Sequence, residues 1–356
     1  MDTRQPHAPE MDARRLERFA AGTVLPAHVL ALTRDLKLDA RRMRALTRYY
    51  LDAGAGGVAV GVHTTQFAIR AHGLYCPVLE NVAATVREFG HADSVLVAGV
   101  TGRTAAALAE AADARAIGYD AALLNVAAFK GASEDEILDH CRAIAGRIPI
   151  VGFYLLTEVG GIVLSRDFWR RFCEIDNVIG IKIAPFNRYR TLDVVHGLVQ
   201  ARAEKRVTLY TGNDDHIVLD LLAPFVVPRD GERVTVHIRG GLLGHWAVWT
   251  RSAVAMFERL RAAQGRTDVP AELLALDSIV TDCNRAIYDS LNDFKGCIPG
   301  CHEVLRRQGL FEGTWCLVPN ETLSPGQLEL IDRVYRDYPE MNDDAFVRAN
   351  LDRWMS

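Results

Sequence analysis

Asn177-Val178-Ile179-Gly180-Ile181-Lys182-Ile183-Ala184-Pro185 is the stretch that decides how this chain folds. Branched apolar residues on both faces mark a short buried strand, one lysine interrupts it, and a proline stops it. An amphipathic helical pattern over 165–173 precedes it and another over 191–203 follows, so the stretch is one period of a strand–helix alternation. Outward from it, strand patterns fall at 28–32, 57–61, 94–100, 121–126, 148–154, 207–212 and 233–238. Helical patterns follow them near 39–53, 77–89, 104–117, 134–145, 215–222 and 243–263. Strict alternation demands parallel strands, and eight such units predict a (β/α)8 TIM barrel over 24–265. A doubly wound open sheet fits less well, because no glycine-rich dinucleotide fingerprint follows the first strand.

The flanks break the pattern. Residues 1–23 are charged and proline-bearing and read as a peripheral arm with a short helix over 11–20. Beyond Arg266 only helical periodicity remains, over 271–276, 278–308, 325–338 and 343–354, which predicts a C-terminal helical extension over 266–356 packed on the barrel or a neighbouring subunit.

Composition narrows the partners. With 49% hydrophobic residues, mean hydropathy near zero and a formal charge of -4, the 356-residue chain lacks the basic footprint of a nucleic-acid binder and the polybasic face of a membrane-surface protein. No apolar run approaches the roughly 18 residues of a membrane span, and residues 1–10 lack the apolar core of a secretion signal, so a cytoplasmic protein acting on a small molecule is expected. The seven cysteines are odd in number and scattered, as reduced core thiols are. Cys297, Cys301 and His302 form the one cluster, but no second ligand pair follows at zinc-site spacing, and neither a metal nor an organic cofactor is expected.

Chemistry is expected at the carboxyl ends of the strands. Burying the Lys182 ammonium depresses its pKa, and the neutral amine that results attacks carbonyls, which is Schiff-base chemistry. Of the five lysines only Lys130 has a comparable setting, after the apolar run 125–129. Tyr154 ends the preceding strand, where a phenol can relay protons beside the imine or serve as a core residue. His63, Thr64 and Thr65 follow the second strand, and their hydroxyls and loop amides suit a carboxylate. The run Thr211-Gly212-Asn213-Asp214-Asp215 either lines the mouth or, through Asn213 or Asp214, caps the next helix. Around Gly240 and Gly241 backbone can approach a ligand closely.

These residues resemble those of the dihydrodipicolinate synthase and N-acetylneuraminate lyase family of class I aldolases, over residues 23–308. Gly180-Ile181-Lys182 is similar to that family's imine-lysine motif, Tyr154 stands 28 residues before it like the proton-relay tyrosine, and the run 212–215 looks like its glycine–aspartate loop. The resemblance implies a lyase that binds a pyruvate-like 2-oxo acid on Lys182, with an aldehyde as second partner, in a homo-oligomer of two or four chains. The chain also departs from the family. Gln66 and Phe67 stand where a glycine and a glutamate are normal after the threonine pair; Val159 takes the place of a carboxylate-binding arginine, and Phe129 that of a second tyrosine. These losses argue against the lysine-pathway synthase itself, and the rival reading is a barrel that binds a ligand without catalysis.

Overall fold

The computed structural model describes residues 10–356. Eight parallel strands form one sheet: β1 (Val24–Pro26), β2 (Gly57–Val60), β3 (Val95–Val100), β4 (Ala121–Leu124), β5 (Ile150–Leu155), β6 (Val178–Ala184), β7 (Thr208–Thr211) and, after a hairpin, β10 (Gly240–Leu243). Their spatial order is β1-β10-β7-β6-β5-β4-β3-β2, and a parallel bridge between Ala27 and Ala59 joins the two ends into a TIM barrel. The hairpin, β8 (Phe225–Arg229) and β9 (Glu232–Val236), is a separate antiparallel pair outside the barrel.

Helices α1 (Ala13–Ala21), α2 (Ala40–Asp52), α3 (Tyr75–Phe89), α4 (Thr104–Ile117), α5 (Glu134–Ala145), α6 (Arg166–Cys173), α7 (Arg188–Gln200), α8 (Ile217–Leu222) and α9 (Thr250–Ala263) precede the C-terminal helices. Those are α10 (Ala271–Ile287), α11 (Cys297–Arg307), α12 (Gln327–Asp337) and α13 (Asp344–Met355). Local chemistry starts several of them: Asp12, Asp39, Ser165 and Asn187 accept amide hydrogens of their first turns, and Ser133 with Glu136 makes a complete capping box. No helix among the described residues is long and apolar enough to cross a membrane.

Three expectations are corrected. The first barrel strand is Val24–Pro26, not 28–32; past it the chain turns, and the buried His28 ring is tied to Thr47 Oγ1 at 2.8 Å. The eighth is Gly240–Leu243, and 233–238 belongs largely to the outlying hairpin. Residues 1–9 of the expected arm lie outside the described residues, and residues 10–23 are not peripheral: α1 drives the fully buried Phe19 into the barrel floor, stacked on Tyr210 with 4.6 Å between ring centroids. A Cβ on Gly180 would lie 2.8 Å from that Phe19 ring, which explains a glycine in the middle of an otherwise branched strand.

Candidate active site

Strand pairing settles which side chains face the barrel interior. On β5 and β6 the Cα partners are Val151 with Gly180, Phe153 with Lys182 and Leu155 with Ala184. Val151, Phe153, Leu155 and Ala184 belong to the interior cluster, whereas Tyr154, Ile181 and Ile183 belong to the layer between sheet and helices. Lys182 thus points inward. Its chain passes over Gly212 so closely that a Cβ there would lie 2.5 Å from Lys182 Cε, and its Nζ stands 4.3 Å from the centroid of the Phe153 ring.

Around Nζ is a cavity of about 60 Å³ lined mainly by apolar groups, among them Leu155, Leu156, Val159, Phe186 and Phe294. At about 15 Å³ per water-sized site, that is room for roughly four waters or one small ligand. No arginine among the described residues lines it. Its polar lining comes from Lys182, His63, Thr64, Asp214, Tyr288 and Cys297. Nζ makes no hydrogen bond or ion pair within 4.0 Å among the described residues, although Asp214 is near enough to act on it electrostatically. Burial pulls the Lys182 pKa down and Asp214 pushes it partly back. The reciprocal holds for Asp214: burial raises its carboxyl far above the usual range, Lys182 opposes the shift, and its buried Oδ1 has no hydrogen-bond partner. His63 falls to about 4, first through burial and then through Lys182, so at neutral pH it is an uncharged imidazole.

Of the residues singled out in the sequence, the structure brings Lys182, His63, Thr64 and, from the run 211–215, Gly212 and Asp214 together, and leaves Tyr154, Thr65, Asn213 and Gly240 out. Tyr154 lies tilted against Trp169 of α6 with 5.0 Å between ring centroids, and its hydroxyl meets only the Leu164 carbonyl and amide at 3.4 Å. β5 alternates regularly, and the register shift puts one extra residue, Ile179, into β6: paired residues are 28 apart below it and 29 apart above it, so Phe153 and not Tyr154 stands opposite the inward Lys182. Thr65 donates its hydroxyl to the His28 carbonyl at 2.6 Å and accepts from the Gly61 amide, outside the cavity. Asn213 binds Asp220 and Thr191 through its amide nitrogen and the Phe186 amide through its oxygen, a tie between loops. Gly240 opens the last strand at the floor, packed against Thr23 and Tyr210. The rival Lys130 is exposed, and Phe129 packs on His140 away from the cavity.

Asp214 takes the first of the two roles open to its run: it lines the cavity and caps no helix, since α8 starts at Ile217 with His216 at its N-cap and no side-chain cap. One group escaped the sequence reading. Tyr288 arrives from the tail, just past α10. There Asp289, Asp293 and Phe294 all hold positive φ, of 56°, 54° and 63°, a strained run for non-glycine residues. The Asp289 carboxylate fixes that turn by accepting from Asn292 Nδ2, the Gly296 amide and Ser324 Oγ. The same turn carries Phe294 and Cys297 into the cavity wall.

A profile of the dihydrodipicolinate synthetase family matches residues 20–224, more than half of the chain. The chain belongs to this family. Among curated relatives, a 4-hydroxy-tetrahydrodipicolinate synthase of Moorella thermoacetica is 28% identical over 57% of this chain and 66% of its own length. One of Anaeromyxobacter dehalogenans is 26% identical over 69% of this chain and 82% of its own. The first relatives matched are spanned over about half to two thirds of their length. In the family's fold, dihydrodipicolinate synthase of Oceanobacillus iheyensis superposes with a TM-score of 0.74 at 15% identity, covering 91% of this chain and 99% of that one. The Clostridium difficile protein CdNal, solved with mannosamine, does so at 0.71 and 17%, over 89% and 99%. At such identities the structures speak for the fold alone.

Proposed function

We propose that this protein is a Schiff-base-forming lyase whose Lys182 captures a pyruvate-like 2-oxo acid as an imine, then makes or breaks a carbon–carbon bond, or eliminates water, through the enamine. The observation that carries this reading is the Lys182 amine: inward on a barrel strand, desolvated, free of any ion pair, and facing a cavity of small-ligand size. Burial keeps part of it neutral at moderate pH, so its lone pair is available to attack a carbonyl. Protonated imine nitrogen then draws electrons from the adjacent carbon, which loses a proton or a carbon fragment. The loop 62–64 faces the cavity and holds the carboxylate, and Asp214 is the counter-charge that accepts a proton from the lysine side. No metal or organic cofactor enters this chemistry.

The apolar wall of Leu155, Leu156, Val159 and Phe186 suits an aldehyde without a carboxylate of its own. Val159 lines the wall where the family resemblance places an arginine. Losing a charged hydrogen bond there costs on the order of 1.5 to 3 kcal/mol of substrate binding. This protein is therefore not the lysine-pathway synthase itself. The outward Tyr154 is the observation that favours the rival reading, a barrel that only binds its ligand. Both are tested by incubating the protein with pyruvate and borohydride, then weighing the intact chain and mapping the adduct. A reduced adduct on Lys182, absent from Lys182→Met, is the expected result; no adduct, or one on Lys130, overturns the proposal.

A further inference from the structure

We propose that Tyr288, a phenol delivered by the C-terminal extension, is the acid–base group of this site, standing in for Tyr154, which the pairing of β5 with β6 leaves facing outward. This rests on the imine reading of Lys182. Tyr288 is 5% exposed and lines the same cavity as Lys182, and among the described residues its Oη meets no oxygen or nitrogen partner. The Cys301 thiol is close enough to hydrogen-bond with it, but sulfur is a weak partner and leaves the oxygen short of a strong one. Oη rests on Gly244, where a Cβ would lie 1.6 Å from it and 3.0 Å from Thr64 Cγ2. A glycine at the end of β10 and a strained turn at 289–294 thus both serve to bring one unpaired hydroxyl to the threonine loop. Buried hydroxyls are ordinarily paired, and one left open toward a cavity is a place for a ligand oxygen.

The other lining groups serve less well. Thr64 already donates its hydroxyl to the Ala27 carbonyl at 2.7 Å, and His63 is held neutral by burial and the lysine. Burial and the neighbouring Asp214, Cys297 and Cys301 keep Tyr288 protonated, so it begins as a donor. As the Lys182 nitrogen forms its bond to the ketone carbon, the carbonyl π pair moves onto oxygen and takes the phenolic proton; the phenolate takes the proton shed by nitrogen. When the nitrogen lone pair then forms the C=N bond, the C–O bond breaks and Tyr288 protonates the departing hydroxyl to water. The neutral Asp214 carboxyl returns a proton to the phenolate and remains as a carboxylate beside the protonated imine. Charge and protons balance without any further reagent.

Rapid mixing with pyruvate, quenching with borohydride at successive times and weighing the intact protein gives both the rate and the final extent of imine formation. In Tyr288→Phe the rate is expected to fall by about 10²-fold or more, the range of a lost acid–base group. The final extent stays at the parent's value, because a catalyst moves a rate and not an equilibrium. The melting temperature is equal or higher, because the hydroxyl removed is buried and unpaired. A rate equal to the parent's overturns the proposal. So does an extent that falls in step with the rate, which marks a residue that only shapes the cavity, and so does a variant that unfolds. Absence of adduct in the parent protein is a different failure: it removes the Lys182 reading, and this inference with it.

Discussion

At the floor of the barrel Phe19 stacks on Tyr210, the Tyr210 hydroxyl donates to the Phe19 carbonyl at 2.8 Å, and Arg15 pairs with Asp120 at 2.8 Å while Asp120 accepts the Leu96 amide. At the mouth, less than the barrel's height away, Asp214 Oδ1, Tyr288 Oη and His245 Nδ1 are buried without partners, and a lysine sits desolvated above them. An unsatisfied buried polar atom costs about 1–3 kcal/mol, so the mouth gives up stability that the floor secures. Where folding energy is given up, a ligand that completes the hydrogen bonds has something to gain by binding. The comparison separates residues that hold the barrel from residues that work in it, and substitutions at each end ought to report on different quantities.

The largest expected effect lies at the floor. Phe19→Ala empties a fully buried aromatic site and should lower unfolding stability by about 3–5 kcal/mol. The pyruvate adduct on Lys182 should still form in the folded protein at low temperature, because Phe19 meets the strand at Gly180, one inward layer below the lysine. Denaturant titration and adduct mass measure the two quantities separately. Loss of the adduct in folded Phe19→Ala would show that the two ends are coupled and break the comparison.

What could be read in the sequence follows the same division. The strands β2 to β7 carry runs of branched apolar residues, and the lysine stood out because one such run contained it. The first and last barrel strands did not, because Val24–Pro26 spans only three residues and Gly240–Leu243 begins with two glycines, while the exposed hairpin strands Phe225–Arg229 and Glu232–Val236 are rich in valine. Branched residues fit any pleated surface, buried or not, and so misplace a strand as readily as they find one. The pairing of Phe153 with Lys182 hung on one extra residue in β6, Ile179, which leaves no mark in composition and reverses every face of that strand beyond it. Tyr288 was hidden for another reason, and Asp214 was left between two roles by the same one. Each is brought to the cavity by a loop, and only the geometry of Gly212, Gly244 and the left-handed turn at 289–294 shows that the backbone makes way for them.

An intermediate effect is expected from Asp214→Asn. The carboxylate raises the Lys182 pKa against the downward pull of burial, so removing its charge lets burial act alone and lowers that pKa further. The amine is then neutral at lower pH. The acid limb of the imine-formation rate, which lies below the ordinary lysine value of 10.5, should move toward acid by about one unit or more. Its plateau should fall as well, since the carboxyl that returns a proton to Tyr288 is gone. Rates measured across pH by quenched adduct formation separate position from height. A limb that stays in place, or moves toward base, would mean that Asp214 does not act on the lysine and belongs with the structural carboxylates of the floor.

The smallest effect is the most discriminating, because it concerns the residue whose position in the sequence pointed most directly to catalysis. Tyr154 stands 28 residues before Lys182, yet its ring lies in the helix layer against Trp169 and its hydroxyl makes only two contacts of 3.4 Å with Leu164. Contacts that long are weak hydrogen bonds, and Tyr154→Phe removes a hydroxyl while keeping the ring that packs. Stability should therefore change by no more than about 1 kcal/mol. Imine formation with pyruvate should keep the parent's rate and extent, in contrast to Tyr288→Phe. If instead Tyr154→Phe slows the imine while Tyr288→Phe does not, then the strand pairs in the 28-residue register throughout, without the bulge, and the phenol beside the lysine is Tyr154. Phe153→Tyr probes the same point from the other side: with the bulge in place it sets a second hydroxyl beside Lys182 Nζ, where the Phe153 ring centroid is now 4.3 Å away, and it should restore part of the rate lost in Tyr288→Phe.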